Sequence, residues 1–353
     1  MRRHRGTDES SLNGLRLVFD LGGTCVRTAS VDAEGSIAPN SRSSAKIAQT
    51  ISTSADLRDL IVDRIVASGS RQRTHVLSLA GPISPDNRVI RKYTNVLKHE
   101  FDILISDMVE RELRRRTGEE IEFFVIKDAI AATMAEMGPG GAAADGDEVI
   151  ALILGTGTGG APCRRDSDGR ISFPDALADL GHHQLDPRNT EPCNCGSRGC
   201  VELQTSGTGV VRNFNRRSLA DGSYAGSILN VERGITPGSI TAEDIAWAAA
   251  RGGDPFTTSL LKEAALALAL LLKNVFTSHP GMTVVFVGGF ALGVGSPLVA
   301  LARESLEEIG LPFIRKSDLA GYVDSRVLLG SIPADDTNLV GARLFLLQEE
   351  RKG

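Results

Sequence analysis

Three cysteines and two histidines lie in one polar stretch, DLGHHQLDPRNTEPCNCGSRGCVE, residues 179–202. Cys193, Cys195 and Cys200 are spaced along a turn whose glycines let the backbone fold around one point. Three thiolates and a nearby imidazole form a tetrahedral zinc set, and four protein ligands leave no open position for an activated water. The spacing therefore predicts a structural metal site, against the alternative of three reduced surface cysteines.

Two loops rich in glycine and threonine follow short apolar runs. The first contains Gly22, Gly23 and Thr24, and the second contains Gly155, Thr156, Gly157 and Thr158. Residues without a Cβ let backbone N–H groups converge on phosphate oxygens, and hydroxyls supplement them. Neither loop is a P-loop or a dinucleotide fingerprint, and each alone fits a simple tight turn. As a pair, with Asp20 ahead of the first, they predict a nucleoside triphosphate held between two domains.

A third glycine turn and one carboxylate also follow predicted strands. Gly288 and Gly289 fit either a strand-to-helix turn or a backbone that passes under a flat base. Asp128 ends the strand EFFVIK and begins the helix AIAATMAEM, so it projects from a strand end, where α/β proteins place ligands. A carboxylate there fits the base of a phosphoryl transfer to an alcohol, and equally a helix N-cap.

The elements that position these residues are predicted from apolar runs and helical periodicity. The predicted strands are 15–19, 75–79, 122–126, 149–154 and 283–287, and the clearest helices are 103–116 and 259–276, the second apolar nearly all round and therefore buried. Alternation after the first glycine loop predicts a hairpin. The two halves open alike on either side of a connector at 138–147, which indicates a duplicated α/β domain.

Composition limits the class of partner. The chain has 353 residues, a formal charge of −5 and 24% charged residues, so no basic field for nucleic acid is expected and the partner is a small molecule or a protein. Five cysteines with three clustered make a poor disulfide framework. No apolar run of membrane-spanning length and no secretion signal are expected, which predicts a cytoplasmic protein with a disordered tail at 1–14.

The motifs DLGGT, GTGTGG, CNCGSRGCVE and VGGF occur in the order and near the spacings of the ROK sugar-kinase family, in the actin-like ATPase superfamily. Residues 15–348 resemble that family. The resemblance implies a two-lobed, duplicated ribonuclease H-like fold with a cleft between a small lobe, 15–135 with 336–353, and a large lobe, 136–335. It also implies ATP, Mg²⁺, a structural Zn²⁺ and a homodimer.

The resemblance assigns roles to residues. Asp20 and the two glycine loops would bind metal and phosphates, Gly288 and Gly289 would lie along the adenosine, and Asp128 would take the hydroxyl proton. The implied substrate contacts are Gly81, Asn95, Lys127, Asp128, Asp179, His182 and Glu202. The implied zinc ligands are His182, Cys193, Cys195 and Cys200, with His183 as a rival for the histidine.

The chain departs from the family pattern around the base. The family carries Asn-Asp-Ala-Asn-Ala where this chain has Lys127, Asp128, Ala129, Ile130 and Ala131. Lysine only donates hydrogen bonds and brings a charge, unless it points outward as a solvated side chain. With Asp179 in place of the usual glutamate, this predicts an acceptor other than plain glucose: an aminosugar or a valiolone- or valienone-like C7-cyclitol, as in natural-product pathways.

Three alternatives remain beside that kinase. One is glucokinase proper. Another is a ROK-type sugar-sensing regulator, which would carry a DNA-reading helix-turn-helix ahead of the first loop, where only the fourteen residues before Leu15 stand. The third is a sensor without catalysis, which the missing asparagines favour and which Asp20, Asp128 and the glycine loops oppose.

Overall fold

The computed structural model describes residues 14–47, 51–69, 72–93, 97, 99–173 and 179–352. The proposed tail, apart from its last residue, and the predicted substrate contact Asn95 lie outside these residues.

The strands are β1 Arg16–Leu21, β2 Cys25–Val31, β3 Ser43–Lys46, β4 Thr74–Leu79, β5 Ile90–Lys92, β6 Phe101–Ile103, β7 Glu122–Lys127, β8 Glu148–Leu154, β9 Thr158–Arg165, β10 Ile171–Ser172, β11 Thr283–Val287 and β12 Val327–Leu329. The helices are α1 Ser54–Ala67, α2 Ile105–Thr117, α3 Asp128–Met137, α4 Glu202–Thr205, α5 Gly207–Ala220, α6 Ile228–Val231, α7 Ala242–Arg251, α8 Pro255–Ser278, α9 Gly289–Val294, α10 Ser296–Ile309, α11 Lys316–Asp324 and α12 Thr337–Glu350.

The described chain divides into two compact units. Unit 1 comprises the described residues up to Lys127 together with those from Asn338 onward, and unit 2 is Asp128–Thr337. The chain therefore passes from one unit to the other between β7 and α3, and returns at the start of α12.

The sheet of unit 1 has the order β3-β2-β1-β4-β7. β1 and β2 form the antiparallel hairpin that the sequence predicts, and β4 and β7 run parallel to β1. α12 belongs to this unit, because Phe345 packs edge-on against Phe124 and Glu350 pairs with Arg16 at 2.7 Å. Burial of apolar side chains such as Phe19 and Phe123 on this sheet supplies its core.

The sheet of unit 2 repeats that arrangement in the order β10-β9-β8-β11-β12. β8 and β9 are antiparallel, and β11 and β12 follow in parallel. The two sheets have the same strand order and the same strand directions, so the duplicated α/β architecture predicted from the two similar openings is confirmed. Each glycine loop is the turn between the first two strands of its sheet.

α3 is fastened to the second sheet by a buried threonine. The Thr133 hydroxyl lies 2.7 Å from the Ala129 carbonyl oxygen and 3.1 Å from that of Ala161, and it accepts the Ala151 N–H at 2.9 Å. These bonds join the helix to β8 and β9 at once. The first residue of α3, Asp128, is thereby held on a rigid element.

α8 corrects one expectation from the sequence. This 24-residue helix is long and apolar enough by composition to cross a membrane, contrary to the expectation that no apolar run reaches that length. In the structure 61% of its most apolar 18-residue window is buried, and the helix packs against α10 in the core of unit 2. Its outer face is open at Leu266, 45% exposed, and Leu270, so the prediction of a helix buried all round holds only in part.

Candidate active site and metal centre

His182, Cys193, Cys195 and Cys200, here called the Cys3His cluster, come together in unit 2. Their candidate ligand atoms all lie within 4.8 Å of one another. The Cys195 and Cys200 Sγ atoms are 3.6 Å apart, and Cys193 Sγ is 3.9 Å from His182 Nδ1. Donors about 2.3 Å from a tetrahedral zinc stand about 3.8 Å from each other, so these side chains fit that ion. Four ligands complete its coordination.

The turn CNCGSRGC folds around the cluster because two glycines take conformations that other residues avoid. Gly196 and Gly199 have φ values of 95° and 66°. A Cβ at Gly199 would lie 2.1 Å from the carbonyl oxygen of Asn189. The turn closes through a hydrogen bond from the Cys193 N–H to the Ser197 carbonyl at 2.9 Å. Glycine at these positions is therefore what lets three thiols converge.

The structure brings His182, and not His183, into this group of close ligand atoms among the described residues. His182 ends a single 3-10 turn, Leu180–His182, whose first N–H groups are capped by Asp179: its Oδ1 accepts from the Gly181 N–H at 3.3 Å. The backbone of His183 instead bridges to the next segment, because its carbonyl accepts the Val201 N–H at 2.8 Å.

Burial raises the pKa of the Cys193 thiol and that of the Cys200 thiol above the ordinary value. Without a cation these buried thiols keep their protons, since an anion is poorly solvated there. Thiolates are the form that binds a divalent ion, so metal binding at this cluster must release protons.

The carboxylate of Glu202 is held by the chain. Glu202 begins α4, and its Oε2 accepts the Thr158 N–H at 2.9 Å while Oε1 lies 3.5 Å from Cys193 Sγ. The sequence predicts that Glu202 accepts hydrogen bonds from a substrate. In this structure the carboxylate joins the Cys3His cluster to the end of the second glycine loop.

The second glycine loop, residues 155–158, is a tight turn at the start of a helix. The Gly155 N–H donates to the Gly157 carbonyl at 3.0 Å, and the Gly207 N–H of α5 donates to the Gly155 carbonyl at 2.7 Å. The Thr208 hydroxyl donates to the Thr156 carbonyl at 2.6 Å. The first donors of α5 thus hold the carbonyl oxygens of the loop, and phosphate binding by its N–H groups stays a prediction.

Two threonines of this loop have different environments. Thr156 is exposed, whereas Thr158 is buried and its hydroxyl lies 3.0 Å from that of Thr205. The predicted use of the Thr158 hydroxyl on phosphate is not what this structure shows, because the hydroxyl is engaged inside the unit. Thr156 presents its side chain at the surface.

The third glycine turn is a strand-to-helix turn between β11 and α9. Gly288 has a φ of 94°, and a Cβ there would lie 2.8 Å from the Leu154 carbonyl oxygen. A Cβ at Gly289 would meet nothing within 4 Å. The packing against β8 explains Gly288. A role for either residue along an adenosine stays a prediction.

The first glycine loop of unit 1 lies beside a buried carboxylate. Asp20 is 3% exposed; its Oδ1 accepts the Asn338 side-chain N–H at 3.0 Å, and its Oδ2 pairs with Arg27 Nη1 at 3.3 Å. Burial raises the pKa of Asp20, and the hydrogen bond from Asn338 and the charge of Arg27 oppose that rise. The Tyr93 hydroxyl donates to the Gly22 carbonyl at 2.6 Å and steadies the turn. The loop itself also contains Gly23 and the exposed Thr24.

Sequence reasoning missed Arg27 and Asn338. Arg27 lies opposite Asp20 in the β1–β2 ladder, so the predicted hairpin register contained the signal. Asn338 is 318 positions from Asp20, and no local pattern brings it there.

Asp128 and Lys127 lie where β7 gives way to α3. Asp128 is half-buried, and its Oδ1 accepts the N–H of the next residue, Ala129, at 2.7 Å, so the carboxylate bonds to the first turn of α3. Lys127 is 1% exposed, which rules out the alternative of an outward, solvated side chain. Gly81 has a φ of 123°, and a Cβ there would lie 2.4 Å from the Lys92 carbonyl oxygen, so the turn alone requires glycine. Its contact with a substrate stays a prediction.

Comparison with known proteins adds the family. The model of the ROK family matches residues 16–309. A glucokinase of Thermotoga maritima is 27% identical over 349 residues, 96% of this chain and 99% of that protein. A C(7)-cyclitol 7-kinase of Streptomyces hygroscopicus subsp. limoneus is 35% identical over 134 residues, but the match spans only 37% of this chain and 38% of that enzyme. The crystal structure of a ROK family glucokinase from Streptomyces griseus with glucose and AMPPNP has a TM-score of 0.73 and 25% identity, over 94% of this chain and 99% of that one. The chain thus belongs to the ROK family.

Proposed function

We propose that this ROK protein is an ATP-dependent kinase that phosphorylates a primary hydroxyl of a sugar or a sugar-like cyclitol. The observation that carries the proposal is Asp128, a half-buried carboxylate at the carboxyl end of β7 and the first residue of α3. The full-length match to a glucokinase and the likeness to a glucokinase bound to glucose and AMPPNP support it.

Asp128 is suited to accept the hydroxyl proton. The positive end of α3 stabilises its ionised form, and the anchoring of that helix limits its movement. The bond from the Ala129 N–H to Oδ1 is compatible with this role, because a carboxylate has two oxygens and several acceptor positions. Phosphoryl transfer requires a base near the acceptor hydroxyl and precise positioning of that hydroxyl relative to the γ-phosphate.

The phosphates of ATP are assigned to both glycine loops. The second loop is fixed against the N-terminus of α5 by its carbonyl oxygens, and the first lies beside Asp20, a carboxylate oriented by Arg27 and Asn338. Mg²⁺ bound with ATP supplies charge neutralisation on the transferred group. Asp20 would assist that cation, because hard cations prefer carboxylate oxygens.

The Cys3His cluster is assigned a structural role. Four protein ligands leave the metal no position for the substrate, so protein side chains must bind the acceptor. We propose that Asp179 and the second ring nitrogen of His182 face the acceptor hydroxyls. Zinc bound there would orient His182 and keep its neighbours in place.

The acceptor we favour is a C7-cyclitol with an exocyclic hydroxymethyl group. Lys127 replaces an asparagine of the family pattern, and its positive charge would repel a cationic aminosugar bound beside it. The partial match to a C7-cyclitol kinase agrees with that choice. Glucokinase is the second candidate, because the match to the Thermotoga maritima glucokinase spans nearly the whole of both chains.

ADP release tests the proposal directly. The zinc-loaded protein is assayed with ATP·Mg²⁺ and glucose, N-acetylmannosamine, kanosamine, fructose or C7-cyclitols, with a reaction lacking acceptor as the control. We expect ADP release that depends on one acceptor class, with a cyclitol ahead of glucose. A protein that binds a sugar but releases no ADP with any acceptor would be a sensor.

A matched variant tests the role of Lys127 in selectivity. Lys127→Asn restores the family residue, and we expect the ratio of kcat/KM for glucose to that for the cyclitol to rise about tenfold or more, the size of one changed hydrogen bond to a charged group. An unchanged ratio would show that Lys127 does not determine which acceptor is preferred.

A further inference from the structure

The two flanks of the Cys3His cluster converge on one residue, Thr158, the last residue of the second glycine loop and the first of β9. One flank is Gly181, directly before His182. The other is α4, which begins at Glu202, two residues after Cys200. Thr158 is thus held by segments whose positions the metal ligands determine.

Two polar groups of Thr158 bond to side chains of α4, and its carbonyl oxygen lies close to Gly181. Its N–H donates to Glu202 Oε2 at 2.9 Å, and its buried hydroxyl lies 3.0 Å from the Thr205 hydroxyl on α4. Its carbonyl oxygen lies against Gly181, where a Cβ would come within 1.8 Å of it. A side chain at position 181 would therefore push the two segments apart.

The loop is shaped to receive the carboxylate. A Cβ at Gly157 would lie 2.7 Å from Glu202 Oε2, so glycine at this position permits the approach. A carboxylate that accepts a backbone N–H makes a charge-assisted bond, stronger than one between neutral groups. The contact is therefore one that can restrain a loop.

We propose that the Cys3His cluster controls the order of the second glycine loop, residues 155–158, through Glu202 and Thr158. Zinc binding fixes Gly181 and α4, and these hold the loop in the shape that receives phosphate. Glu202 is then a positioning residue for the nucleotide. The nucleotide part of this inference rests on the proposed function, whereas the coupling of metal to loop does not.

Hydrogen exchange of the loop amides, followed by mass spectrometry on peptides covering 152–162, tests the coupling without nucleotide. The proteins are wild type, Glu202→Ala, Glu202→Gln and the control Glu307→Ala, an exposed glutamate on α10 of the same unit. We expect Glu202→Ala to keep its zinc and to exchange about tenfold faster or more, as expected from a lost bond to a charged acceptor. Glu202→Gln keeps an acceptor oxygen and should fall between, and the control should match wild type.

Zinc removal with a chelator supplies the second arm. We expect the same rise in wild type, and little further rise in Glu202→Ala, because two steps of one pathway are not additive. Should Glu202→Ala lose its zinc, Thr205→Val takes its place, since it removes the hydroxyl that contacts Thr158 and keeps the side-chain shape; its loop must exchange faster with zinc retained. Unchanged loop exchange in zinc-loaded Glu202→Ala, in zinc-loaded Thr205→Val where it replaces that variant, or in wild type after zinc removal would overturn the proposal.

Binding of ADP separates this inference from the proposed function. We expect Kd for ADP to rise about tenfold in Glu202→Ala. Unchanged loop exchange in this variant would overturn the coupling, whatever the change in KM for the acceptor. A wild-type protein that binds no nucleotide would refute the proposed function, while loop exchange would still decide the coupling.

Discussion

The two glycine loops occupy the same place in two sheets of the same order, yet they are stabilised differently. The first lies beside Asp20, a buried carboxylate balanced by Arg27 and Asn338. The second is held by Glu202, a carboxylate next to the Cys3His cluster. One loop thus lies beside a balanced buried charge, and the other beside a candidate metal site.

The ends of the last strands differ in the same way. β7 leads into Asp128, whereas β12 leads into Gly330, where a Cβ would lie 2.8 Å from Glu136 Oε1. Glu136 is buried and accepts the N–H groups of Ala142 and Ser331 at 2.7 and 3.2 Å. A carboxylate therefore follows β7 directly in the chain, whereas β12 is followed by a glycine that packs against a buried glutamate.

The largest effect is expected at that strand end. Asp128→Asn keeps a side-chain oxygen that can accept the Ala129 N–H but cannot take a proton, so we expect kcat to fall about 10²- to 10⁴-fold, the usual contribution of a general base. Steady-state kinetics and ADP binding measure this, with Asp145→Asn, an exposed residue of the same unit, as the control. Wild-type turnover of Asp128→Asn would show that Asp128 is not the base and that the difference between the two strand ends has no catalytic meaning.

Alanine at matched glycines sharpens the comparison of the loops. A Cβ at Gly157 would come within 2.7 Å of Glu202 Oε2, whereas one at Gly22 would come no closer than 3.4 Å to Arg27 Nη1. We expect Gly157→Ala to lower the free energy of unfolding by about 1–3 kcal/mol, as overpacking does, and Gly22→Ala to change it by less than about 1 kcal/mol. Denaturant unfolding measures both. Equal losses would mean that the two loops are held alike.

Asn338→Leu tests the charge balance of the first loop. The substitution removes a hydrogen bond that lowers the pKa of Asp20, so that pKa should rise further above its ordinary value. If ionised Asp20 is needed for metal binding, the acid limb of the kcat/KM profile must move to higher pH, with the greatest loss of activity below neutrality. A limb that stays in place would show that Asn338 does not act through Asp20.

The smallest effect concerns stability against pH. Burial raises the folded-state pKa of Asp20, so the stability that its protonated form contributes is present below the ordinary value of 3.8 and is lost as pH rises through the folded pKa. Asp20→Asn has no such loss. The difference in Tm, variant minus wild type, should therefore become more positive between about pH 4 and pH 7. A difference that is constant or falls with pH would contradict the raised pKa.

Local sequence patterns predict most of the strands and helices and the cysteines of the candidate metal centre. The apolar runs of β1, β4, β7, β8 and β11 and the periodicity of α2 and α8 depend on neighbours in sequence, and so does the spacing of Cys193, Cys195 and Cys200. No local pattern predicts that Lys127 is buried, because a lysine at a strand end is more often solvated.

Long-range partners could not be predicted. The hydrogen bond from Asn338 to Asp20 depends on the chain returning to unit 1, and the three contacts of Thr158 come from segments 23 to 47 residues away along the chain. Glu202 is an example: the sequence places it just after Cys200, but nothing in the sequence shows that it binds the Thr158 N–H. Burial and closure of such loops are decided by tertiary packing.

Transfer of the γ-phosphoryl group, followed by ³¹P NMR, tests the central claim most directly. Wild type and Asp128→Asn, each with zinc bound, are incubated with ATP·Mg²⁺ and the best acceptor of the ADP-release panel. We predict that wild type produces ADP and a phosphate monoester of the acceptor in equal amounts, and that Asp128→Asn binds ATP but forms almost none. ADP without phosphorylated acceptor, or transfer that persists in Asp128→Asn, would contradict the account.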